Sequence, residues 1–345
     1  MGRWCTAAVI IAQPIEAPTS APHRADEIES FNRRLFALYD EAFLLLSLQH
    51  PNIITLFGVT VVSPGERRRL PALIMEAALQ TLDAKLSDSF TDITSSEKLR
   101  MMKDIACALT YLHDRGVTHN DIKADNILVA RDGHTLKIAD LSSVRTYDFS
   151  PSMAAPEIIA RHLGSAERQQ AYRVARHQRR VQDAYLNPQW QNTMDAILRT
   201  PGPPASKEAD VYSCGLVFCK ILTGELCIYE VGNQTLLSLF LLKLTLPPSH
   251  YRDQATGCSG EAIVSAIADC FDEEVGGQLL SMVQRCYLAA ASVRPTAREL
   301  LEIISSLDID DCLLAPSPAH PSLNHHTADS HQLVAGSLPS PILCQ

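Results

Sequence analysis

The segment DVYSCGLVFCKILTG (210–224) is apolar almost all the way round a helical wheel. A helix with no polar face has to sit inside a domain, surrounded by other helices. The chain has the means to surround it. It runs to 345 residues, of which 46% are hydrophobic. A second strong helix begins at Thr94, where Thr94 and Glu97 have the spacing of a capping box. Leu99, Met102, Ala106, Leu109 and Leu112 then recur at helical intervals, and Gly116 is a suitable stop. Helical patterning continues to about residue 307. The larger part of the chain is therefore expected to be a helical domain built around 210–224.

The first part reads differently. Residues 26–49 have helical spacing, with Ile28, Phe31, Leu35, Leu38, Ala42 and Leu45 on one face. His50-Pro51-Asn52 ends that helix, because proline disfavours helical backbone in the residue before it. Two strand-like runs follow, IITLFGVTVV (53–62) and LPALIM (70–75), with SPGERRR expected as a solvated hairpin loop. A small sheet with one helix, followed by a helical body, is an α+β arrangement.

Bulk properties narrow the function. The net charge of −9 argues against nucleic-acid binding by the chain as a whole. The ten cysteines form no CxxC pair, which points to reduced thiols in a cytoplasmic or nuclear protein. The apolar run LLSLFLLKLTL (236–246) is too short to span a bilayer, so no transmembrane segment is expected. The start, MGRWCT, matches the loose myristoylation pattern, with a strand fragment as the other reading. Residues 308–345, rich in Pro, Ser and His, are expected to be a disordered tail. Its His320, His325, His326 and His331 could bind a metal, but a polar tail is the default reading.

Chemistry concentrates in VTHNDIKADNILV (117–129). Asp121 can accept a proton or orient a hydroxyl, and Lys123 is a point cation suited to a phosphoryl oxygen. Asn126 and Asp140, the latter in KIADLSS, can hold a hard cation through oxygen. A hydroxyl-orienting acid, a cation over the transferred group and magnesium ligands together form the inventory of phosphoryl transfer.

The order H-x-D-x-K-x-x-N followed by K-I-A-D resembles the catalytic loop and metal-binding segment of eukaryotic protein kinases, of Ser/Thr or tyrosine-kinase-like type. Other segments strengthen the resemblance. LLLSLQHPNIITLFGV resembles the end of the family's helix C and the next strand, and Glu41 stands where that helix carries its glutamate. LIMEAALQTLDAKL resembles the last strand of the small lobe and the hinge. Ala155-Pro156-Glu157 matches the A-P-E motif, DVYSCG the start of helix F, and RPTARELL supplies Arg294 as the ion-pair partner of Glu157. The resemblance spans roughly residues 7–305.

It implies a bilobal fold with a partial small lobe over 1–78, a helical large lobe over 79–307, and an inserted basic helical arm at about 160–205. It implies ATP and Mg²⁺ as cofactors and a protein substrate. Asp121 would be catalytic base or orienter, and Lys123 would contact the transferred phosphate, its position favouring Ser/Thr substrates. Asn126 and Asp140 would be metal ligands. Met75 would be gatekeeper, with Glu76 and Ala78 contacting adenine through the backbone. Asp210 would brace the backbone near His119. Arg161, Arg168, Arg173, Arg176, Arg179 and Arg180 make the arm either a dock for an acidic partner or a solvated helix face.

The chain also departs from the family pattern. Before position 100 the only glycines are Gly2, Gly58 and Gly65, so no glycine-rich loop is visible. The first lysine is Lys85, and the best candidate for the family's third strand, VIIAQPI (9–15), puts Ala12 or Gln13 at the lysine position. Glu41 then lacks its cation, with Arg24, in a Pro-rich connector, as a candidate substitute. A truncated small lobe is one reading, and a pseudokinase acting as a binding or scaffold module is the alternative function. Asn120 replaces an arginine that commonly binds a phosphorylated activation loop, and Asp-Leu-Ser (140–142) replaces Asp-Phe-Gly. Ser150 falls where a threonine often helps to position the catalytic aspartate. These features imply little control by phosphorylation.

Overall fold

The computed structural model describes residues 7–11, 24–65, 68–181, 196–199, 205–224, 235–245, 261–288 and 290–307. The expectations for the first six residues, for Ala12 and Gln13, for the Arg24 side chain and for the tail lie outside the described residues.

Strand β1 (Ala7–Ile11) comes first, then helix α1 (Arg24–Ser47) and strands β2 (Leu56–Gly65) and β3 (Arg68–Glu76). They form an antiparallel sheet in the order β1-β3-β2. β1 begins two residues before the expected third strand and runs with Ala7 opposite Glu76 and Ile11 opposite Ala72. The hairpin corrects the sequence reading. Its strands reach Gly65 and resume at Arg68, so Ser63-Pro64-Gly65 belongs to β2 rather than to a long loop. A register shift between Val62 and Gly65 takes up the proline, as expected on an edge strand.

Strand β4 (Ala78–Thr81) leaves this sheet and pairs with β5 (Ile127–Ala130), which pairs with β6 (Leu136–Ile138). Helices α2 (Leu82–Ser89) and α3 (Ser95–Asp114) lie between β4 and β5. The capping box of α3 is formed: the Thr94 side chain accepts from the Glu97 N–H, and the Glu97 carboxylate accepts from the Thr94 N–H. Gly116 stops the helix with φ +72°.

Among the described residues, helices follow: α4 (Ser143–Thr146), α5 (Pro156–His162), α6 (Ser165–Val181), α7 (Lys207–Thr223), α8 (Leu236–Thr245), α9 (Glu261–Ala268), α10 (Glu273–Cys286) and α11 (Ala297–Ser306). Helix α7 is the apolar segment that opened the sequence reading. Thirteen of its residues, from Ala209 to Leu222, are buried, and α3, α9 and α10 pack around it. Gly224 ends it at φ +74°, and a Cβ there would come within 2.6 Å of the Phe90 ring. Gly215 lets α10 approach closely, since a Cβ there would lie 2.4 Å from the Cβ of Cys286. The small antiparallel sheet with α1 and the helical body around α7 make a bilobal α+β fold.

Candidate functional site

The VTHNDIKADNILV segment is held in place by a buried acid from the central helix. Asp210, in the first turn of α7, is 1% exposed. Its Oδ2 accepts from the His119 N–H at 2.8 Å and meets Nε2 of His113 at 2.9 Å, while Oδ1 accepts from the Asn120 N–H at 2.8 Å. The expected brace near His119 is there and reaches two further residues. His119 is fully buried, and its Nδ1 accepts from the Asp121 N–H at 3.3 Å. Its Nε2 therefore carries the proton and donates to the Ala139 carbonyl at 3.0 Å. One imidazole thus links the loop to the Asp140 segment.

Asn120 sits at φ +71°, a left-handed backbone that asparagine tolerates better than most residues. Its side-chain nitrogen donates to the Ser143 carbonyl at 3.0 Å. The residue that looked like a loss in the sequence therefore ties the loop to α4, a contact that spacing could not reveal.

Around Asp121 the structure closes a small polar ring. Lys123 Nζ lies 2.7 Å from Asp121 Oδ2 and donates to Ser150 Oγ at 2.9 Å. The Ser150 N–H donates to Asp121 Oδ1 at 2.8 Å. Asn126 Nδ2 donates to the Asp121 carbonyl at 2.9 Å and to Asp121 Oδ2 at 3.1 Å. Burial alone would push the Asp121 carboxyl up. Hydrogen bonds from Lys123 and Ser150, with the Lys123 charge, outweigh burial and hold it below its ordinary range. Asp121 is therefore ionised at neutral pH.

Asp140 also has a left-handed backbone, φ +59°, and its carboxylate is exposed. Ser142 donates to its Oδ1 from the hydroxyl at 2.5 Å and from the backbone N–H at 3.3 Å. The Ala139 N–H donates to the Asn126 carbonyl at 2.9 Å, which ties the two candidate metal-binding segments together. The donor chemistry suits Mg²⁺. The amide nitrogen of Asn126 is committed to Asp121, leaving its side-chain oxygen as an acceptor, and Asp140 adds an exposed carboxylate.

Glu41, on α1, faces this segment. Its Oε1 accepts from the Leu141 N–H at 3.1 Å. Burial and then the Asp140 charge push its carboxyl from the ordinary 4.5 up to about 7, and the Leu141 hydrogen bond only partly offsets them. Among the described residues no cation pairs with Glu41. α4 packs against the same helix, where Arg145 reaches Asp40 at 2.8 Å.

The hinge residues lie at the end of the first sheet and the start of the second. Met75 is buried, Glu76 ends β3, and Ala78 begins β4 opposite Ala130. Glu157 and Arg294 form the expected ion pair, bidentate at 2.6 and 2.9 Å. Lys243 was not singled out in the sequence. It lies inside an apolar helix, yet its ammonium donates to the Ser152 carbonyl and sits 4.9 Å from the Tyr212 ring centroid. Ser213 donates to the Met153 carbonyl at 2.9 Å, so the stretch after Ser150 is held from two sides.

The basic arm is partly accounted for by the fold. Arg168 donates to the carbonyls of Leu163 and Arg161 at 3.0 and 2.9 Å, closing the end of α5. Arg173 is exposed, and the side chains of Arg176, Arg179 and Arg180 lie outside the described residues. Among the described residues no helix is long and apolar enough to cross a membrane.

An acid ringed by a lysine, an asparagine and a serine, in a fold that joins a small antiparallel sheet to a buried helical body, points to the kinase class of fold. Residues 24–303 match the family model of the protein kinase domain, and the chain belongs to that family. It is 22% identical over 316 residues to an Arabidopsis thaliana leaf rust 10 disease-resistance locus receptor-like protein kinase-like protein (1.4), covering 90% of this chain and 42% of that one. It is 24% identical over 266 residues to a probable serine/threonine-protein kinase of Dictyostelium discoideum, covering 76% and 22%. It is 29% identical over 177 residues to mitogen-activated protein kinase kinase kinase 17 of Arabidopsis thaliana, covering 49% and 45%. The chain thus spans less than half the length of each of these relatives.

Proposed function

We propose that this chain is a serine/threonine protein kinase domain that moves the γ-phosphoryl group of ATP to a protein hydroxyl. The observation that carries the reading is the closed ring of Asp121, Lys123, Ser150 and Asn126. An ionised Asp121 orients the substrate hydroxyl and accepts its proton. The hydroxyl oxygen forms the new bond to the γ-phosphorus as the bond from phosphorus to the bridging oxygen breaks, and ADP leaves. Lys123, already 2.7 Å from Asp121, is placed to donate to the transferred group next to the attacking oxygen. Asn126 and Asp140 are the proposed ligands of Mg²⁺, which offsets phosphate charge when bound. Met75 bounds the adenine side, where Glu76 and Ala78 offer backbone groups. The exposed arm around Arg173 is the proposed surface for an acidic partner.

A second reading is favoured by one observation. Among the described residues, Glu41 faces a carboxylate and a backbone amide, with no lysine beside it. Loss of one preorganised electrostatic group typically costs about 100–1,000-fold in rate. A pseudokinase that binds partners through the same fold would carry this Glu41 environment without penalty.

The test is transfer of labelled phosphate from Mg-ATP to a generic basic protein, with Asp121→Asn and Asp140→Asn alongside. The kinase reading expects incorporation by the wild type well above both variants. Equal counts in all three refute it. A rise in apparent stability on adding Mg-ATP, without transfer, supports the pseudokinase reading.

A further inference from the structure

Strand β6 is only three residues long, yet it meets the hinge through one side chain and leads directly to Asp140. Its C-terminal end leads through Ala139 to Asp140, and its middle residue is Lys137. The Lys137 ammonium lies 3.0 Å from Glu76 Oε1 and donates to the Pro51 carbonyl at 2.7 Å. The same Glu76 Oε1 accepts from the Thr55 N–H at 2.7 Å, and the Glu76 N–H donates to the Thr55 carbonyl at 3.0 Å. The two side chains are 13% and 24% exposed, so the pair is shielded more than an ordinary surface ion pair.

Three separate pieces of chain meet on this one cation. Glu76 is the last residue of β3, where the first sheet gives way to the hinge. Pro51 belongs to the turn that ends α1. Lys137 sits on the strand that delivers Asp140. Neighbouring backbone bonds hold the strand itself in register: Ile54 N–H to the Ile138 carbonyl at 2.9 Å, and Ile138 N–H to the Asn52 carbonyl at 2.8 Å. The Asn52 side chain donates to the Leu136 carbonyl at 3.0 Å, and the Leu136 N–H donates to Asp104 at 2.8 Å. β6 is therefore fixed by its backbone. The Lys137 side chain is free to act on the hinge rather than to hold its own strand.

We propose that Lys137 is a positioning residue for the nucleotide cleft: it fixes the hinge at Glu76 and the turn at Pro51 against the strand that carries Asp140. The proposal rests on the nucleotide-binding reading given above. With Lys137 in place, the distance between adenine-facing backbone and metal-facing carboxylate is set before any ligand enters. Without it, the Glu76 carboxylate keeps only the Thr55 amide among the described residues, and the hinge gains freedom that binding must then remove. The ammonium makes two charge-assisted contacts, and their loss should weaken nucleotide binding by about tenfold.

The experiment uses the full chain with Lys137→Met and Lys137→Arg. It has two readouts: Mg-ATP affinity by calorimetric titration, and hydrogen exchange at the Thr55 amide. The expected result is an affinity about tenfold weaker and a Thr55 amide exchanging about tenfold faster in Lys137→Met, with circular dichroism unchanged. Lys137→Arg, whose guanidinium can reach both acceptors, should restore both. An unchanged Thr55 exchange overturns the brace. Faster exchange with unchanged affinity overturns the positioning role. If the wild type binds no Mg-ATP, the nucleotide reading fails by itself, and Thr55 exchange alone decides whether the brace exists.

Discussion

Arg294 offers the sharpest test of how the large lobe is held together. Its guanidinium side chain is fully buried, and Glu157 opposite it is 9% exposed. Besides the two bonds to Glu157, it donates to the Leu288 carbonyl at 2.8 Å and the Glu208 carbonyl at 2.9 Å. Its charge also lies 5.0 Å from the Tyr212 ring centroid. Arg294→Met keeps much of the volume and removes every one of these donors. Glu157 is then left as an unpaired buried carboxylate, which typically costs about 3–5 kcal/mol. For a domain of this size that corresponds to a fall in melting temperature on the order of 10 °C. Arg298 supplies the control. It pairs with Asp114 at 2.6 Å, a geometry as good as that of Arg294, but the two side chains are 60% and 49% exposed. Water and ions screen such a pair, so Arg298→Met should cost roughly 0–1 kcal/mol. Differential scanning calorimetry at low and high salt reads both variants. A large, salt-insensitive loss at 294 and almost none at 298 is expected. Equal losses would refute the reasoning that burial, not pair geometry, sets the cost.

Three other outcomes can be checked with simpler variants. Ser150→Ala removes the acceptor of Lys123 but keeps the backbone bond to Asp121, so phosphate transfer should fall by about tenfold and Ser150→Thr should recover it. Gly215→Ala places a methyl 2.4 Å from the Cβ of Cys286 and should cost at least about 1–3 kcal/mol in a urea titration. Cys286→Gly in the same chain should recover part of that loss, whereas Cys286→Ala should not, because the clash is with the Cβ. Glu41 predicts a pH dependence. Its folded-state value is raised from 4.5 to about 7, so its contribution to stability is complete below about pH 4.5 and is lost as pH rises through about 7. Unfolding free energies from urea titrations in a chelator should therefore fall more steeply between pH 5 and 8 in the wild type than in Glu41→Gln, by up to roughly 3 kcal/mol. Parallel curves overturn that account of Glu41.

Much of the architecture was legible because it rests on local rules. The Thr94 and Glu97 box, the Gly116 stop and the apolar α7 each express a constraint that acts within a few residues. The acid, lysine and asparagine of residues 117–129 were legible for a related reason, since their spacing is itself the geometry. Ser63-Pro64-Gly65 misled, because turn-forming residues were extended by pairing with β3 and a register shift absorbed the proline. Asn120, Lys137 and Lys243 were not legible as structural residues. Each makes its contact with a carbonyl or carboxylate more than twenty residues away, and no periodicity records where such a partner lies. Arg168 was missed for a different reason: its partners are only five and seven residues away, but an arginine counted as part of a charged surface spends its donors on nearby backbone carbonyls.

Phosphoryl transfer is proposed to take place at the ring around Asp121. Its most direct test compares wild type and Asp121→Asn in two quantities, the equilibrium affinity for Mg-ATP and the single-turnover rate of phosphate transfer to a bound protein substrate. Asparagine keeps the shape of the residue and much of its hydrogen bonding but removes the charge that orients the hydroxyl and takes its proton. The expected result for Asp121→Asn is an affinity within about threefold of the wild type and a transfer rate lower by at least about 100-fold. A transfer rate that is the same in both proteins, or too slow in the wild type to distinguish from the uncatalysed reaction, contradicts it.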